Sequence, residues 1–172
     1  MQITGESDLP IAKEIHAAPD RSAAILATSW LDDYLTTAIR TKLLDDKDTA
    51  NKLFKPSGPL GNLVPKAELG YLLKLYSKES RDDLIHIAGI RNMFAHWTKT
   101  VDFGSREIRL KCETLTLFDR LWRAHPDYEN MQKPKSFSLE ISRTRFLDTI
   151  GIAVNMLNWI TAKSVDNPHT KW

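Results

Sequence analysis

The stretch that decides the fold is LIHIAGIRNMFAH, residues 84–96. Its apolar residues recur at three- and four-residue steps, which is the spacing of one face of an amphipathic α-helix. Ser77 can cap the start of this helix, because a serine hydroxyl accepts a hydrogen bond from the first turn. The stretch ends on an arginine, an asparagine and a histidine among large apolar residues. We therefore expect a helix with one face in a core and polar chemistry at its carboxyl end.

Helical periodicity continues outward from this stretch in both directions. After Asp20, apolar residues keep helical spacing as far as Ile39, which predicts a long helix. Further helices are predicted over about 10–16, 47–54, 65–75, 105–114, 117–122 and from Ser138 or Ser142 to Ala162. No strand, repeat or linker is convincing. The prediction is one compact all-α domain over residues 1–172, with its core in about 20–162 and a frayed tail over 163–172.

Residues 55–62 interrupt the helices with the sequence KPSGPLGN. Two prolines and two glycines in eight residues exclude a helix and predict a surface loop. Pro65 suits the first turn of the helix that follows. We expect this loop to be partly ordered, to pack near the end of the Arg91 helix and to contribute Pro59, Leu60 and Gly61 to a binding surface.

Composition and charge exclude several classes of protein. The formal net charge of +2 is too small to predict nucleic-acid binding by bulk electrostatics. The first fifty residues carry nine Asp and Glu against five Lys and Arg, so a modest basic face in the remainder stays open. The lone Cys112 cannot form an internal disulfide, and no signal peptide or membrane-spanning stretch is evident. We expect a cytoplasmic protein with no membrane contact.

No pattern for a metal or a phosphate-binding loop is present. Gly58 and Gly61 are not followed by the Lys-Ser/Thr pair of such a loop. His86 and His96 lie about 15 Å apart along one helix, too far to share an ion, and the other histidines are scattered. We predict no metal site and no cofactor.

Arg91 lies on the apolar stripe of the central helix, together with Leu84, Ala88 and Ala95. An unpaired charge on a buried face costs several kcal/mol in free energy, so the guanidinium needs an acceptor. The predicted partner is Asp32 or Asp33, which would form a buried ion pair with it.

Asn92 and His96 are four residues apart and share a second face, where they can close the helix end. The same side chains suit the binding or cleavage of a phosphodiester. Arg91 and His96 are five residues apart, or about 140° around an ideal helix. The sequence leaves open whether these residues are structural or functional.

The arrangement Arg-Asn-x-Phe-Ala-His at the end of an apolar helix is similar to the signature of HEPN domains. These are small helical domains that are often paired with nucleotidyltransferases or act as ribonucleases. Arg91, Asn92 and His96 match the motif. The resemblance implies a HEPN-like helical bundle. It also implies an alternative function as a metal-independent endoribonuclease, with His96 as general acid or base and Arg91 stabilising the phosphate.

A broader resemblance covers the chain from about Asp20 to Trp159. The chain resembles the mannitol operon repressor family in the order and spacing of its segments. They are DRSAAIL (20–26) with LDDYL (31–35), LFKPSGPLG (53–61), IRNMFAH (90–96), DF (102–103) with IRLKC (108–112), and RTRFL (143–147). The resemblance implies regulation of sugar-alcohol uptake genes, but the sequence contains no recognition helix of its own.

We therefore predict a non-enzymatic regulator that acts through a protein partner, with a DNA-binding regulator as one candidate. Direct specific DNA binding is not expected, and a homodimer is left open. The predicted contact surface combines residues 59–63 with residues 91–96. The alternatives are the HEPN-type nuclease and a sensor of nucleotides or small anions that uses Arg91 and a helix terminus.

Overall fold

The computed structural model describes residues 9–117, 119–120 and 139–165. Within these ranges the chain forms seven helices of at least eight residues and no strand, which confirms the all-α prediction. They are α1 (Leu9–Ala17), α2 (Asp20–Arg40), α3 (Lys47–Phe54), α4 (Leu63–Leu72), α5 (Lys78–His96), α6 (Arg106–Glu113) and α7 (Leu139–Val165). None of these helices is long and apolar enough to cross a membrane.

The carboxyl end of α7 differs from the prediction. The helix runs to Val165, three residues beyond the predicted end at Ala162. Lys163 places its ammonium 3.9 Å from the centre of the Trp159 ring, a cation–π contact that supports the last turn. The rest of the predicted tail lies outside the described residues, and so do residues 118, 121 and 122 of the predicted helix over 117–122.

Helix α2 lies at the centre of the fold and contacts α1, α4, α5 and α7. Its small buried residues allow these helices to approach closely. The rings of Phe94, Phe103 and Phe146 join α5, the following loop and α7, with centroid distances of 4.8 and 5.3 Å. Helices α2 and α5 also contact each other, and α4 packs on both.

An ion pair and several hydrogen bonds join the start of α2 to α7. Arg143 forms an ion pair with Asp20 and donates hydrogen bonds to the backbone oxygens of His16 and Ala18 at 3.0 and 2.9 Å. The second oxygen of Asp20 accepts from the backbone N–H of Phe103 at 3.0 Å. Two of the segments that carry the family resemblance, 20–26 and 143–147, therefore meet here for a structural reason.

Candidate functional site

A cleft of about 360 Å³ opens between α2, α4 and α5. Helix α2 forms one wall with Ser29, Asp32 and Asp33, and α5 forms the opposite wall with Arg91 and Asn92. The loop before α4 and the first turn of α4 also line the cleft, with Gly61, Asn62, Leu63 and Val64. The tertiary structure thus brings two of the predicted surface segments and the predicted acidic pair to one place.

The loop of residues 55–62 is ordered by its own backbone. The N–H of Leu60 donates to the oxygen of Leu53 at 3.0 Å, so the loop folds back on the end of α3. At Gly61 an added Cβ would lie 2.4 Å from the oxygen of Pro56, which leaves no room for a side chain. Residues 55–57 and Pro59 are exposed. The predictions that this loop lies at the surface and packs near Arg91 are confirmed.

Replacing Gly61 with alanine is expected to lower the free energy of unfolding by about 1–3 kcal/mol, because the new methyl group must displace backbone atoms. Gly89→Ala is a matched control, since a Cβ there meets only the Nζ of Lys111 at 3.8 Å. Inside α5 that change should stabilise the protein by up to about 1 kcal/mol. Urea unfolding of both variants measures the difference, and equal stabilities would contradict the close approach.

Asn62 is the N-cap residue of α4, but its side chain makes no capping hydrogen bond. Residue 65, the third residue of the helix, is a proline and has no N–H to donate. The amide of Asn62 is exposed at the end of the cleft, and it can therefore donate and accept hydrogen bonds there.

The partner predicted for Asp32 is wrong. Lys66 of α4, and not Arg91, pairs with this carboxylate, with Nζ 2.6 Å from Oδ2. The Lys66 side chain is only 4% exposed, so α4 delivers the compensating charge from inside the core. Arg91 is half-buried and its Nη1 donates to Oδ1 of Asn92 at 3.2 Å, an interaction with its neighbour on the same helix. Neither Asp32 nor Asp33 forms an ion pair with Arg91 among the described residues.

His96 is the last residue of α5, as predicted, but its environment is not. The sequence predicts that His96 closes the helix end with Asn92, but the residue is exposed. The helix is closed instead by the N–H of Trp97, which donates to the oxygen of Met93. His96 does not line the cleft, so the structure groups Arg91 with Asn92 there and leaves the histidine one helical turn beyond them.

The helical periodicity of the sequence could by itself have indicated that Lys66 is buried. Lys66 shares a buried stripe of α4 with Leu63, Ala67 and Gly70, at helical spacing. A lysine on such a stripe requires an acidic partner from another helix. Which carboxylate it meets depends on the packing of α4 against α2.

The described residues contain no group of three His, Cys, Asp or Glu side chains close enough to hold a metal ion. Burial raises the pKa of the Cys112 thiol to about 12, so this group stays protonated and is a poor nucleophile. The cleft itself presents hydroxyl, carboxylate, amide and guanidinium groups. Such a set can bind a polar group by hydrogen bonds.

Fold and cleft together define a class: an all-helical domain with an open polar cleft between three of its helices. A solved structure with this fold is the X-ray structure of the MtlR–HPr complex from Escherichia coli. The similarity covers 87% of this chain and 97% of the matched chain, with a TM-score of 0.65 and 16% sequence identity. MtlR is the mannitol operon regulator, so the resemblance to that family is supported at the level of the fold. No protein-family model and no curated protein matches the chain.

Proposed function

We propose that this chain is a non-enzymatic transcriptional regulator, similar to the mannitol operon repressor, that acts by binding a protein partner. Its contact surface is formed by residues 59–63 and 91–96, here called the loop–helix surface. By analogy with the solved complex, the first candidate partner is HPr, and a DNA-binding regulator is the second. A regulatory role also implies a cytoplasmic location.

One observation carries the proposal. Over 87% of its length, the chain shares its fold with a chain of the MtlR–HPr complex, which joins a regulator to a protein partner. The geometry of the loop–helix surface supports it. Gly61 and Asn62 line the same cleft as Arg91 and Asn92, so the two segments form one continuous surface. Pro59, Asn62, Asn92 and His96 are exposed, and a partner can reach them without unfolding the domain.

The proposal is tested by titrating the purified chain with purified HPr in a calorimeter. Arg91→Glu is expected to weaken binding at least tenfold, because it reverses the charge at the centre of the loop–helix surface. Lys78→Glu is the matched control, since it makes the same charge change in the first turn of the same helix. The two positions are separated by about 20 Å of helix. Lys78→Glu should leave the affinity within about twofold of wild type.

Equal losses in both variants, or no heat of binding with HPr, would count against this partner and surface.

A second titration uses operator DNA with and without the partner. The chain alone should cause no sequence-specific shift in the mobility of the DNA at physiological salt. Its positive and negative charges nearly balance, so its attraction to the phosphate backbone is weak. A specific shift by the chain alone would show that regulation proceeds by direct DNA contact.

The HEPN-type endoribonuclease remains the alternative, and one feature of His96 favours it. A general acid or base needs access to solvent, and His96 is exposed at the helix end. Against it, His96 lies outside the cleft that Arg91 and Asn92 line. Joint action on one phosphate would require a second copy of the chain or a bend in the helix.

We therefore expect no cleavage when the purified protein is incubated with mixed RNA in EDTA. Wild type and His96→Ala should give the same RNA pattern. Because His96 is exposed, the substitution should change the free energy of unfolding by less than about 0.5 kcal/mol. Cleavage by the wild type that is lost in a folded His96→Ala variant would establish the nuclease instead.

A further inference from the structure

We propose that the cleft between α2, α4 and α5 binds an extended, uncharged main-chain segment of the partner protein, through side-chain hydrogen bonds to its peptide groups. This inference rests on the proposed function, because it supposes a protein partner. It specifies which chemical part of that partner is recognised.

The charges around the cleft balance one another. Asp32 is neutralised by Lys66, whose Nζ lies 2.6 Å from its Oδ2. The other ionised residues that line the cleft are Asp33 and Arg91, one of each sign. A cleft without net charge gives no general attraction to a phosphate backbone or to a strongly basic or acidic peptide. Its preferred occupant is therefore polar and uncharged.

Apart from the hydroxyl groups of Thr28 and Ser29, the polar groups of the cleft place an acceptor on the α2 wall and donors on the α5 wall. On α2, the exposed carboxylate of Asp33 can only accept. On α5, Oδ1 of Asn92 already accepts from Nη1 of Arg91, which leaves the Asn92 Nδ2 amino group available to donate. The guanidinium of Arg91 adds further donors. The side-chain amide of Asn62, which makes no capping hydrogen bond, can do both.

A peptide backbone carries the groups that these walls require. In an extended segment the N–H and the C=O of one residue point to one side of the chain, and those of the next residue point to the other side. The N–H of one residue can therefore meet Asp33 while the carbonyl of the next residue meets Asn92 or Arg91. The apolar side chains of Leu63, Val64 and Ala88 complete the lining. The volume of about 360 Å³ suits a few residues and not a folded surface element.

The test uses random linear heptapeptides displayed on phage and selected on the full chain, followed by NMR titration of the enriched peptides. They are expected to carry no net charge and to shift the amide signals of residues 61–62 and 91–92. Asn92→Asp and Asp33→Ala should each weaken binding about tenfold, as expected for the loss of one hydrogen bond. Asp33→Asn should recover most of the Asp33→Ala loss, because an amide oxygen still accepts from a backbone N–H. Asp45→Ala, on an exposed residue outside the cleft, is the control.

Three results would overturn the inference. In the first, Asp33→Asn loses binding as fully as Asp33→Ala, which would indicate recognition of a positive charge. In the second, no peptide is enriched while AMP or inorganic phosphate shifts the same signals, which would indicate a small-anion site. In the third, enriched peptides bind away from the cleft.

The two proposals fail in different ways. HPr binding that Arg91→Glu weakens but Asn92→Asp and Asp33→Ala do not would refute this inference and leave the regulator proposal standing. Peptides that bind in the cleft, with no binding of HPr, would count against the regulator proposal and leave this inference standing.

Discussion

Replacing Lys66 with alanine is expected to lower the free energy of unfolding by about 3 kcal/mol. Removing one partner of a buried ion pair leaves the other charge uncompensated and costs about 3–5 kcal/mol. The lower end applies here, because the Asp32 side chain remains 28% exposed and water can partly solvate it. The other carboxylate oxygen, Oδ1, is buried and accepts no hydrogen bond from the described residues, so Lys66 supplies the compensation. Urea unfolding monitored by circular dichroism measures the loss.

Arg91→Ala is the informative comparison. Since Arg91 is half-buried and bonds only to its neighbour Asn92 in the described structure, its loss should cost less than about 1 kcal/mol. The double variant Lys66→Met with Asp32→Asn should recover part of the Lys66→Ala loss, because both charges are then removed. An Arg91→Ala variant that loses more stability than Lys66→Ala would restore the original assignment of Arg91 to the acidic pair.

Replacing Asp83 with alanine should lower the free energy of unfolding by about 2–5 kcal/mol. Asp83 is 2% exposed, and its carboxylate accepts from the backbone N–H groups of Thr116 and Leu117 at 2.9 and 2.5 Å. It also accepts from the Thr116 hydroxyl at 3.2 Å. Without it, two backbone donors lose their acceptor, at about 1–3 kcal/mol each. The segment after α6 would then lose its attachment to α5.

Asp82→Ala is the control for that experiment, since it removes a carboxylate one residue away. The Asp82 side chain is 42% exposed and pairs with Arg81, so the expected loss is below about 1 kcal/mol. Hydrogen exchange should show faster opening at Thr116 and Leu117 in Asp83→Ala only. Equal stabilities of the two variants would contradict a role for Asp83 as the anchor of this segment.

Much of the helical architecture could be predicted because it depends on local periodicity. The apolar stripe of α5 and the cap Ser77 predicted a helix that ends at His96, and the structure has one there. The Pro- and Gly-rich loop was also predicted, because no helix tolerates that composition. The degree of burial of Arg91 and of His96 was harder to predict from the sequence. Both residues lie in the last turns of α5, where one residue of difference moves a side chain by about 100° around the helix.

The sequence by itself determined an all-helical domain, the extent of α2 and α5, and a surface loop between α3 and α4. Only the tertiary structure decided that Lys66 neutralises Asp32, that Asp20 pairs with Arg143, and that the loop and α5 border one cleft. Periodicity is a local property that shows which face of a helix is buried. The pairing of charges 34 or 123 residues apart depends on how the helices pack, and several side chains compete for each carboxylate. That competition is settled by distances between helices, which no local pattern specifies.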